Sequence, residues 1–121
     1  MPTPRAWLVA FLITVAVEAP IVVALTRGLA ARAPRRLALA VFAQLATHPL
    51  VWFVFPRIVG LTGRMSAILS ELWAWLAEAA FYALVLPGLG PVRALGVSAL
   101  ANGASIAVGL LLGGLVRALS G

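Results

Sequence analysis

The chain has 121 residues, 64% of them hydrophobic and only 10% charged, with a mean hydropathy of +1.12. So little polar material cannot cover a soluble domain of this length, which leaves a membrane protein. The formal charge of +6 comes from nine basic residues, every one an arginine, against three glutamates; no basic face interleaved with aromatics exists, so a nucleic-acid partner is excluded, and the lack of cysteine excludes disulfides, thiolate metal sites and Cys nucleophiles.

A membrane helix needs about 20 apolar residues, and four segments qualify. The first span is expected over about 6–26 and carries Glu18 just past its middle. Arg5 ahead of an apolar run and Ala31-Arg32-Ala33 after it imitate a signal peptide. The run is too long for that and holds an acid, so a retained helix is expected. The second span is expected over about 37–55, stopped by Pro56 and Arg57. The third covers about 67–86, with Ser66 as N-cap and Pro87-Gly88 as its stop. The fourth covers about 94–116 and ends at Arg117. The expected fold is therefore all-α: one integral membrane bundle of four transmembrane helices, residues 1–121, with short loops and both termini on one side.

The arginines lie between or beside these spans and read as residues facing lipid headgroups. Arg5, Arg57, Arg64 and Arg117 fall on one side; Arg27, Arg32, Arg35, Arg36 and Arg93 fall on the other. That near balance gives little preference for either orientation and admits dual topology. The dense first loop, if dominant, places itself in the cytoplasm and the termini outside.

All three acids sit inside the apolar spans, where an ionisable group costs about 2.5–3.5 kcal/mol at the bilayer centre by insertion scales. Glu18, His48, Glu78 and the pair Asn102 and Ser105 fall at similar depths in the four spans, which predicts a shared polar centre. Gln44 lies one turn before His48, and Thr14 one turn before Glu18. Glu71, Trp75, Glu78 and Tyr82 follow an i, i+4, i+7, i+11 stripe. That stripe would set both carboxylates of the third span, and an aromatic wall, on one face. Ser98, Asn102, Ser105, Gly109 and Gly113 form a small, polar stripe whose GxxxG suits close helix packing. Pro20 and Pro49 each free a carbonyl one turn back, at Ala16 and Leu45, beside an ionisable side chain.

With no arginine inside the spans, the acids must hold a proton or a cation, or pair with His48. Carboxylates in such a setting are natural proton or cation exchangers. Glu18, His48 and Glu78 also offer the ligands of a divalent metal site, although HExxH, ExxH and a second histidine are missing and no cofactor is required. The candidate binding residues are Glu18, His48, Glu78, Asn102, Glu71, Gln44 and Ser105. PGLGP is a loop between helices, since no strand precedes it.

In size, span number and the glutamate of its first span, the chain resembles the small multidrug resistance transporters. Only Glu18 would carry over, because THPLVWF stands where that family has a tryptophan- and glycine-bearing signature. ANGASIAVGLLLG is loosely similar to the Asn- and Gly-containing helices of small fluoride channels, whose broken helix this chain lacks. Both resemblances imply a small transporter or channel at the level of architecture.

The expected function is a cation- or proton-coupled transporter or channel, and an enzyme is the less favoured class. The alternatives are a membrane-embedded metal-dependent enzyme, or a non-catalytic subunit of a larger complex. The expected partners are the lipid bilayer and either further copies of the chain or a larger membrane complex. The expected location is a bacterial inner membrane.

Overall fold

In a computed structural model, which describes residues 3–58 and 60–120 with side chains described to 114, the chain forms four long helices. They are α1 (Pro4–Leu25), α2 (Ala33–Pro49), α3 (Gly63–Val85) and α4 (Pro91–Ser120). A π-helical turn, Leu50–Val54, and a 3-10 turn, Phe55–Arg57, extend α2, so the second span runs unbroken over Ala33–Arg57. All four are long and apolar enough to cross a membrane, and less than a third of each is buried. The rest, including Leu8, Leu45, Ile68, Leu84 and Leu110, faces outward as a leucine-rich coat. Such a surface would aggregate in water and is compatible with contact to lipid tails.

Each helix packs on its neighbours in the chain, and α4 closes back on α1. The helix ends differ from expectation for local reasons. Thr3 caps α1, its hydroxyl accepting from the Ala6 N–H at 3.2 Å, with Pro4 just inside. Helix α2 starts at Ala33 because Pro34 suits a first turn and the two arginines that follow are good helix formers. Thr62, not Ser66, caps α3 through the Met65 N–H at 3.3 Å, and Ser66 is buried a turn further in. Pro87-Gly88 does end α3, with Gly88 at φ +85°.

Arg36 corrects the reading of the arginines as headgroup contacts. It is buried, donating from Nε to the Ala31 carbonyl at 3.0 Å and from Nη1 to the Val23 carbonyl at 2.5 Å and to Thr26 Oγ1 at 2.9 Å. Arg93 at the start of α4 donates to the Leu25 carbonyl at 2.9 Å. Two guanidinium groups thus hold the last carbonyls of α1, where the helix dipole is negative and the carbonyls have no helical partner. Arg117 lies outside the described side chains. Arg36→Ala is expected to lower stability by about 2 kcal/mol, since three hydrogen bonds at a buried end are lost together. The exposed Arg35→Ala should stay within about 0.5 kcal/mol of the parent. Unfolding midpoints in mixed micelles check both, and equal midpoints would refute the clamp.

The buried apolar residues are unevenly placed along the bundle. Ala19 and Val22 of α1, Ala40 and Ala43 of α2, Tyr82 of α3 with Leu86 just after it, and Ala94, Val97 and Ala101 of α4 form one cluster. All of them lie on the side of the first and third connections, beyond Glu18, Gln44, Glu78 and Asn102. Small side chains from α2 and α4 let the helices approach closely there. On the opposite side the buried residues are mostly polar: Thr47, His48, Ser66 and Ser70.

Candidate functional site

Four helices bring their midspan polar side chains into one network. Glu18 Oε1 accepts from the Ser105 hydroxyl and Oε2 from the Gln44 amide. The same amide nitrogen donates to Glu78 Oε1 at 3.1 Å. Thr47 donates to that oxygen at 2.7 Å, and Asn102 donates to Glu78 Oε2 at 2.9 Å. Gln44 is therefore a bridge between two carboxylates from different helices. A primary amide can do this because its nitrogen carries two hydrogens. Asn102 is oriented by a further bond from Nδ2 to the Ser98 carbonyl at 3.0 Å.

Beside the network lies a cavity of about 260 Å³. Glu18, Gln44, Thr47, His48, Glu71, Glu78, Asn102 and Ser105 all contribute to its wall, together with Thr14 and Trp52. Among the described residues, no arginine lines it. Every one of the seven residues expected at the site reaches this cavity, although the two glutamates of α3 do so differently. The buried stripe of α3 is Ser66, Ser70, Ala74 and Glu78, while Glu71 and Trp75 are only half-buried at its edge.

Trp75 and Tyr82 do not form an aromatic wall. Trp75 pairs α3 with α4, its Nε1 donating to the Leu95 carbonyl at 2.9 Å while its own carbonyl accepts from Ser98 Oγ at 2.9 Å. Tyr82 belongs to the apolar cluster. Nor do the proline-freed carbonyls join the site: Ala16 and Leu45 face outward and neither lines the cavity. Side-chain amides and hydroxyls supply the polar wall instead. Helix α1 continues as α-helix past Pro20, whereas Pro49 is followed by the π-helical turn, because its missing N–H breaks the α ladder there.

His48 is set apart from the acids. Its Nε2 lies 3.5 Å from Thr14 Oγ1, at the outer limit of a hydrogen bond. Its ring packs between Trp52 (centroids 5.9 Å, stacked) and Phe11 (5.6 Å, edge-on), and Nδ1 has no partner among the described residues. Also among the described residues, no three His, Cys, Asp or Glu side chains are arranged to hold a metal ion. Glu18 and Glu78 meet through Gln44, and His48 turns to its aromatic neighbours.

The GxxxG of α4 does not bring helices together within the chain at Gly109, where an added Cβ would meet nothing within 4 Å. Thr47 is the site residue that sequence reasoning missed. It lies one turn from Gln44, but a mid-helix threonine ordinarily bonds back to its own helix, as Thr47 also does to the Ala43 carbonyl at 3.0 Å.

Fold and site together define an integral membrane four-helix bundle with a buried carboxylate pair. No protein-family model matches the chain, and no curated protein or solved structure is significantly similar to it.

Proposed function

We propose that this protein moves protons or small cations across the membrane, using Glu18 and Glu78 as the binding groups. The reading is carried by one observation: a single amide, Gln44, joins two buried carboxylates whose other contacts are also donors, beside a cavity that no arginine among the described residues lines. Two acids so placed at the bilayer centre need a balancing positive charge, and a proton or a hard cation supplies it. Oxygen ligands from carboxylate and hydroxyl groups, with amides holding them in place, suit such ions. In this reading Ser105, Thr47 and Asn102 fix the carboxylates, and His48, on the wall of the same cavity, passes protons to or from them.

A carrier is favoured over an open channel, because the apolar cluster around Val22, Tyr82 and Leu86 fills the bundle on one side of the pair. The test is reconstitution of the full chain in liposomes loaded with proton-, sodium- or potassium-sensitive dyes. At least one imposed gradient is expected to collapse faster than in protein-free vesicles. Flux at the protein-free rate for every ion and direction would refute the proposal.

A further inference from the structure

A second cavity, of about 290 Å³, lies against the first. Its outer rim is Pro56, Leu61 and Gly63, at the connection between the second and third spans. Its wall includes Ser66 and Ser70, and its inner end is Glu71 with Val51 and Trp52. Those last three residues also line the central cavity. Ser66, Ser70, Ala74 and Glu78 repeat at intervals of four along α3, so they form one buried stripe. At the rise of an α-helix, that stripe covers about 18 Å, more than half the thickness of a bilayer's hydrocarbon core. Small and hydroxylated side chains thus line a route from the second connection to the carboxylate pair.

Among the described residues, the other side is closed by apolar packing. There the bundle is filled by the apolar cluster, and the end of α1 is held by Arg36 and Arg93. Hydroxyl and carboxylate groups on a cavity wall favour water inside it, whereas a wall of alanine, valine and leucine excludes water.

We infer that the second cavity is an aqueous vestibule through which a small cation or proton reaches Glu18 and Glu78 from the face of the second connection only, with Glu71 as the first charge it meets. What travels rests on the function proposed above; the vestibule itself can be tested without any transport.

The natural chain has no cysteine, so a single introduced thiol reports from one place. Ser70→Cys and Ser66→Cys would be treated, in sealed vesicles, with membrane-impermeant cationic and anionic methanethiosulfonates. Thr62→Cys and Ala30→Cys, both exposed positions in or next to the second and first connections, identify the outward face. Ser66→Cys and Ser70→Cys are expected to react when Thr62→Cys reacts and to be protected when only Ala30→Cys reacts. If both stay unreactive while Thr62→Cys labels, or if they follow Ala30→Cys, the vestibule is wrong. Adding Glu71→Gln should lower the cationic-to-anionic rate ratio at Ser70→Cys by about threefold, as loss of a nearby negative charge requires. An unchanged ratio removes Glu71 from its assigned place. Labelling that holds in a protein that moves no ion would overturn the proposed function and leave the vestibule standing.

Discussion

Glu18→Gln is expected to reduce ion flux by at least about tenfold while leaving the bundle intact. The loss follows from removing one charged partner, worth about 1.5–3 kcal/mol in a hydrogen-bonded ion contact, which is roughly a tenfold to hundredfold change in occupancy. The fold survives because the neighbours of Glu18 can adapt. Gln44 can still donate to the new amide oxygen, and the Ser105 hydroxyl can rotate to accept from the new amide nitrogen while donating to the Asn102 carbonyl, 3.0 Å away. Flux assays and an unfolding curve on the same preparation check both halves. Parental flux in a folded Glu18→Gln protein would end the role assigned to this carboxylate.

Glu78 is expected to behave differently, as a structural linchpin as well as a binding group. Its carboxylate accepts from Gln44, Thr47 and Asn102, which belong to two other helices. Glu78→Ala removes three interhelical bonds, each worth about 0.6 kcal/mol in a membrane protein, and opens a cavity. Together these should lower stability by about 2–3 kcal/mol, read as the unfolding midpoint in mixed micelles. Even Glu78→Gln should be less well tolerated than Glu18→Gln. Asn102 cannot turn its oxygen toward a new amide nitrogen without aiming it at the Ser98 carbonyl, so two donors would face each other. Equal midpoints for the two Gln variants would refute this asymmetry.

The four spans and the convergence of Glu18, Gln44, Glu78, Asn102 and Ser105 were legible from hydropathy and from depth alone. Both follow from a single cost, that of a polar group in hydrocarbon, and that cost is visible in the order of residues. The rest depended on which way each face turned. A stripe drawn through Glu71, Trp75 and Glu78 meets the buried face of α3 only at Glu78, because serine and alanine at 66, 70 and 74 carry no hydropathy signal of their own. Arg36 looked like its exposed neighbours Arg32 and Arg35, and only the packing of α1 against α2 shows that it reaches the carbonyls at the end of α1. His48 shared the depth of the acids, but its orientation was set by Phe11 and Trp52, from different spans or turns of the chain.

The filling of one half of the bundle with alanine, valine and leucine also decides where a membrane voltage is felt. Electrical potential falls mainly across dry material, so little of it would drop along a wet approach. An ion arriving at the carboxylates through the inferred vestibule would sense little of that voltage. Its passage through the dry half would sense most of it, about 2.3 kcal/mol for each charge and 100 mV.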